Sequence, residues 1–169
     1  ILTSTSKKDD SIFDLAKSKK FKVFRGSEKD VLKRFYDAAK LINADYIVRC
    51  NADCPLIDYR ILDKMINKFT KNKKYDYLSN ILIPTFPTGM HIEIFKKEVL
   101  NLANFKCKSK YRREHVTPYI YRNKRLKIIN IKNKQDLSFH RWTLDYYEDF
   151  IFIRKIYSML YKKNKYFDM

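Results

Sequence analysis

The chain has 169 residues, 45% of them hydrophobic, and no apolar run approaches the length needed to span a bilayer, so a globular protein with a real core is expected and a membrane protein is not. Lys and Arg number 37 against 19 Asp and Glu, a formal charge of +18, but the lysines are scattered and no nucleic-acid-binding motif accompanies them. The excess is read as a field that favours small anions, with nucleic acid set aside as a partner. Cys50, Cys54 and Cys107 offer neither a disulfide framework nor zinc-like spacing, and they fit a reducing, cytoplasmic setting.

The chain opens Ile1-Leu2-Thr3-Ser4, without an initiator methionine and as if at the end of a strand, and is read as a fragment. Asp9-Asp10 then open a helix carrying Ile12, Leu15 and Ala16, with Lys17 to Lys20 at its C-terminus, where the helix dipole favours cations. Phe21 to Phe24 reads as a strand. Arg25-Gly26-Ser27 is a turn, and Ser27 with Asp30 has the spacing of a capping box before a helix carrying Val31, Phe35, Ala38 and Ile42. Tyr46-Ile47-Val48 is apolar and β-branched, and is expected as a buried strand. Asp58 is a good N-cap for a helix at 59–70 with Ile61, Leu62, Met65, Ile66 and Phe69 on one face.

Residues 75–79 are another strand, and 80–90 a loop with Pro84, Pro87 and Gly89. His91-Ile92-Glu93-Ile94-Phe95 alternates polar and apolar residues, which predicts a half-exposed strand at a sheet edge or in a flap. A helix follows at 97–106, and Arg112 to Tyr121 holds another, with Thr117 and Pro118 at cap and first-turn positions or at a kink. Leu126 to Ile131 and Trp142-Thr143-Leu144 are read as strands. Asp145 and Glu148 repeat the capping-box spacing before a terminal helix carrying Phe150, Ile153, Ile156, Tyr157 and Leu160. Strands alternating with helices, without repeat or linker, predict a single α/β domain over 1–169.

The stretch Arg49 to Leu56 is the focus of this pattern. It joins a strand to a helix, and Asp53 falls just past the strand's carboxyl end, where open α/β sheets bind ligands. Pro55 ends the strand and restricts the backbone. A carboxylate so placed is a candidate for a hard cation such as Mg²⁺, or it makes only an Asx-turn.

A longer ordered set then stands out. It comprises Thr3-Ser4, Phe24 to Leu32, the 49–56 turn, Tyr77 to Asn80 and Thr85-Phe86-Pro87 to Phe95. It continues with Arg113-Glu114-His115-Val116-Thr117-Pro118-Tyr119-Ile120-Tyr121 and Arg141 to Asp145. This set resembles the cytidylyltransferases of the spore-coat polysaccharide biosynthesis type, relatives of the acylneuraminate and 3-deoxy-manno-octulosonate cytidylyltransferases. The resemblance implies a nucleotide-diphospho-sugar transferase-like fold, a three-layer α/β/α sandwich with a mixed, mostly parallel sheet. It implies transfer of CMP from CTP to a sugar or sugar acid with release of pyrophosphate, in the cytoplasm, with Mg²⁺ as cofactor and a homodimer as the common assembly. Carried over residue by residue, Asp53 is the metal-binding and catalytic aspartate and Asp145 the second metal carboxylate, unless Asp145 only caps the last helix. Asp149, a helical turn further on, reads from its position as a solvated first-turn acid. Arg25 stands where it could serve the nucleotide as a catalytic or binding cation, or else form a surface ion pair. Gly89 and Glu93 border the acceptor pocket, and Arg113 and His115 are substrate-binding or structural.

Three features depart from the family pattern. His91 stands where an aspartate is expected, and Asn51 where threonine or glycine is usual. The family's first strand and nucleotide-binding loop find no match within 1–169. The alternatives are a related transferase using another nucleotide, a catalytically silent binding domain of the same fold, and a basic nucleic-acid module.

Overall fold

Hydrogen bonding sorts six short strands into two sheets. In the computed structural model, which describes residues 1–169, the chain runs β1 (Leu2–Ser4), α1 (Asp10–Ser18), β2 (Phe24–Gly26), α2 (Val31–Leu41), β3 (Tyr46–Cys50) and α3 (Tyr59–Lys71). It continues through β4 (Tyr77–Ser79), β5 (Ile92–Lys96), α4 (Lys97–Lys106), α5 (Lys110–Glu114), α6 (Pro118–Tyr121), β6 (Ile128–Asn130) and α7 (Tyr147–Leu160). The expected alternation of strand and helix is present. One sheet is the parallel pair β1-β2, and the other has the order β3-β5-β4-β6, with β4 parallel to β6.

Two compact units share these elements: Ile1–Ile47 with Phe95–Leu126, and Val48–Ile94 with Lys127–Met169. In the first, α2 packs on α4 through small and branched residues, with Leu32, Leu100 and Ala103 fully buried. Asp30 caps α2, its Oδ1 accepting from the Lys33 amide at 3.0 Å. The helix therefore starts one turn later than a Ser27 cap requires; the Ser27 hydroxyl instead accepts from the Asp30 amide at 2.9 Å. The helix expected across Arg112 to Tyr121 is two short ones, α5 and α6. Between them Val116 takes φ +69° although it is β-branched and wholly buried.

In the second unit the apolar face of α3 supplies Met65 and Phe69 to a core with Leu78, Ile92 and Ile94. Burial of each such side chain stabilises the fold by about 2–3 kcal/mol. Asp58 caps α3 as expected, accepting from the Arg60 amide at 2.8 Å.

Two strand assignments are reversed. β3, expected to be buried, is an edge strand with Tyr46 38% and Val48 39% exposed and only Ile47 buried. β5, expected at an edge, lies between β3 and β4 with Ile92 to Phe95 all buried. The alternation that Glu93 creates does not mark a solvent face, because its carboxylate is paired inside the protein. Trp142 to Leu144 form no strand; a single parallel bridge joins Thr88 and Arg141.

Candidate active site

Asp53 lies in the turn that follows β3, within the second unit. Its Oδ1 accepts from the Cys54 thiol at 3.3 Å, and the Cys54 amide closes the turn on the Asn51 carbonyl at 3.2 Å. Burial pushes the Cys54 thiol up to about 12, the Asp53 charge adding to the effect, so the thiol stays a donor at neutral pH. The His91 ring is held below its ordinary value by burial, against the opposing charges of Glu93 and Asp53. The far side of the turn is pinned by α7, whose Tyr157 hydroxyl donates to the Pro55 carbonyl at 2.9 Å.

The segment carrying Asp145 is strapped onto this turn. The Leu144 amide donates to the Asp53 carbonyl at 2.8 Å, so the two aspartates expected to act together stand on hydrogen-bonded backbone. Upstream, the Thr88 amide donates to His140 (2.9 Å) and the Trp142 amide to Thr88 (2.6 Å). Arg141 bridges Asp145 at 2.7 Å and Asp149 at 3.0 Å.

Asp149 has a different task from the solvated acid expected of it. Its Oδ2 also accepts from the amides of Asp145 (2.9 Å) and Tyr146 (3.0 Å), which closes the start of α7. Those amide bonds, with Arg141, hold the Asp149 carboxyl below the usual carboxylate range. The box expected from Asp145 and Glu148 is thus made by Tyr146 and Asp149. Thr143, two residues before Asp145, has a buried hydroxyl without a hydrogen-bond partner.

Glu93 is 1% exposed; Tyr77 donates to Oε1 at 2.6 Å and Arg49 is ion-paired to Oε2. Both carboxylate oxygens are thus engaged within the protein, and the residue anchors Arg49 at the end of β3, where the Asp53 turn begins. Gly89 is buried against the backbone of Trp142 and so fixes the path of the strap. Arg49, Tyr77 and Arg141 open stretches that stand out in the sequence, but nothing there assigns them a role of their own. Their signal was weak, because each partner is distant in the chain or is itself a surface-type residue.

Arg25, Arg113 and His115 belong to the first unit. Arg25 donates to the carbonyls of Ser4 (2.7 Å) and Ser6 (2.8 Å), pairs with Asp10 at 2.8 Å and lies over the Phe13 ring. It holds the loop after β1, and its ion-pair partner is Asp10. Arg113 donates to Asp30 at 2.8 Å, to the Asn104 carbonyl and side chain at 2.8 Å each, and to the Cys107 carbonyl at 3.0 Å. It staples the start of α2 to the end of α4, so of its two expected roles the structural one matches these contacts. His115 is exposed and sits edge-on to Tyr111, their centroids 4.4 Å apart.

The donor set suits a cation shared with phosphates better than a metal held by protein alone. No group of three or more His, Cys, Asp and Glu side chains converges. Asp53 Oδ2 and Asp145 Oδ1 make no hydrogen bond or ion pair within the protein, which leaves one oxygen of each carboxylate available. Mg²⁺ characteristically takes one or two carboxylates, waters and substrate phosphates.

Known proteins resemble this chain along most of its length. The family model described as cytidylyltransferase matches residues 1–163. An uncharacterized protein of Methanocaldococcus jannaschii is 40% identical over the whole chain, and the spore coat polysaccharide biosynthesis protein SpsF of Bacillus subtilis is 29% identical over 94% of it. The chain spans 66% of the length of each of these relatives. A solved cytidylyltransferase structure from Leptospira borgpetersenii superposes with a TM-score of 0.94 at 38% identity, over 99% of this chain and 70% of that one. With both aspartate segments inside the matched span, and with almost the whole of this chain superposing on a solved member, the chain belongs to the cytidylyltransferase family.

Proposed function

We propose that this chain carries the transfer site of an enzyme that moves CMP from CTP to a hydroxyl of a sugar or sugar acid, for surface polysaccharide or other glycan synthesis. In the reaction the acceptor hydroxyl oxygen bonds to the α-phosphorus and gives up its proton to solvent, the bond to the bridging oxygen breaks, and pyrophosphate leaves with that electron pair. The hydrogen bond from Leu144 to Asp53 carries this reading, because it sets the Asp53 and Asp145 carboxylates on joined backbone. Asp53 and Asp145 would hold Mg²⁺, which when bound offsets phosphate charge and stabilises the leaving pyrophosphate. Cys54 orients the Asp53 carboxylate, while Arg141 and Asp149 hold Asp145 in place. The unsatisfied Thr143 hydroxyl supports a polar ligand nearby, since a buried hydroxyl without a partner costs about 1–3 kcal/mol.

The reading is tested by titrating the full-length protein with CTP, ATP, GTP and UTP in Mg²⁺ and following pyrophosphate release with candidate acceptors. CTP-selective binding that weakens about tenfold or more in Asp53→Asn and Asp145→Asn is expected. Nucleotide binding without selectivity, or indifferent to both substitutions, would overturn it.

A further inference from the structure

A second candidate site is a cavity within the first unit, lined by none of the candidate site residues described above. It measures about 410 Å³ and opens between the end of α4, α5 and the segment after α6. Lys106, Arg112, Arg122 and Arg125 line it, and no carboxylate does. None of these four side chains has an ion-pair partner in the protein. The acids on the adjoining helices, Glu98 of α4 and Glu114 of α5, are not part of its lining. The charge excess is local as well as global: residues 106–125 hold eight Lys and Arg (Lys106, Lys108, Lys110, Arg112, Arg113, Arg122, Lys124, Arg125) and one acid, Glu114.

Uncompensated cations in one concavity are costly in mutual repulsion, and the end of α4 offsets only about half a charge of the four. An anionic ligand supplies what the protein withholds. Three of the four are arginines, whose planar fork matches phosphate oxygens two at a time. The remaining wall is made by Leu102, Leu126, the Tyr119 ring and one amide side chain, Asn123, and the volume exceeds that of an inorganic ion. One tyrosine is a poor platform for single-stranded nucleic acid, which needs successive bases stacked along a groove.

We propose that this cavity binds a small molecule carrying two or more linked phosphates, at a site distinct from the Asp53–Asp145 turn. The probe is inorganic tripolyphosphate, titrated calorimetrically into the full-length protein at physiological salt, with chelator present so that cation-dependent binding is silent. Saturable binding is expected, weakened about tenfold or more in the double variant R112Q/R122Q. Removal of two exposed cations elsewhere in the unit, K29Q/K40Q, is expected to change it less than about twofold. Asp53→Asn should leave it unchanged. Should R112Q/R122Q lower the melting temperature, K106Q/R125Q carries the same expectation. Absence of binding, or equal weakening by K29Q/K40Q, would show only the general field of a +18 chain and overturn the site. A short oligouridylate that binds more tightly than tripolyphosphate through the same arginines would overturn it in favour of a nucleic-acid surface.

Discussion

Gly89 lies directly against the backbone of Trp142: a Cβ at position 89 would stand 2.5 Å from the Trp142 carbonyl carbon and 2.6 Å from its oxygen. The residue also takes φ +103°, a conformation that side chains resist. Because the strap from Arg141 to Asp145 passes at this point, Gly89 controls how closely Asp145 approaches the Asp53 turn. Gly89→Ala is expected to destabilise by about 3 kcal/mol or more, combining backbone strain with displacement of a packed segment. Urea unfolding measures the loss, and Mg²⁺-dependent CTP binding by the remaining folded protein should weaken as well. A variant as stable as the parent would show that the strap is free to move.

Glu93 is expected to behave as a buried structural charge. Glu93→Ala removes the carboxylate that is ion-paired to Arg49 and accepts from the Tyr77 hydroxyl, and should cost about 3–5 kcal/mol. Tyr77→Phe removes one hydrogen bond to the same carboxylate and should cost about 1–2 kcal/mol. A double-mutant cycle reads their coupling; additive losses would mean that the two side chains act separately.

Arg113→Lys keeps the charge but loses the fork that reaches Asp30, Asn104 and Cys107 at once. A loss of about 2–3 kcal/mol is expected, because a lysine ammonium cannot serve these acceptors in their present places. Hydrogen exchange should localise the effect to the first turn of α2 and the last turn of α4. Uniform loss of protection over the whole unit would contradict a local staple.

Asp9 gives the chain an acid-sensitive contact. The Thr3 hydroxyl donates to its Oδ2 at 2.7 Å and the Ser4 amide at 2.8 Å, and these bonds, Thr3 first, lower its carboxyl to about 2 from the ordinary 3.8. The folded-state value is depressed, so the stabilising contribution is complete above the ordinary value and is lost as pH falls through about 2. Carboxyl ¹³C titration should place the midpoint there, and Thr3→Val should raise it. A midpoint near the ordinary value in the unsubstituted protein would rule out the contact.

Local signals account for much of what was legible in the sequence. Asp58 before an apolar stripe dictates α3, and Val99, Leu100 and Ala103 mark α4, whose observed bounds match the expected 97–106. The strand-to-helix turn at Asp53 follows from a β-branched run ended by a proline. These features depend on spacing within a few residues, so the chain states them directly. The family was equally legible, since motif order along the chain survives without coordinates.

Tertiary structure decided what spacing cannot encode. The places of β3 and β5 in the sheet depend on which strands become neighbours, and Glu93 is buried because Arg49 and Tyr77, 44 and 16 residues away, reach it. Arg25 and Arg113, which read either as substrate cations or as structural ones, contact backbone carbonyls and carboxylates that only folding brings near. The four cations of the second cavity are separated by up to 19 residues and become one site only where α4, α5 and the chain after α6 converge. The sequence by itself determined most of the helices and the family, and it offered the two aspartates as candidates. Long-range pairing of charges decided which polar residues are left facing a ligand, because a buried charge persists only where the fold supplies its partner.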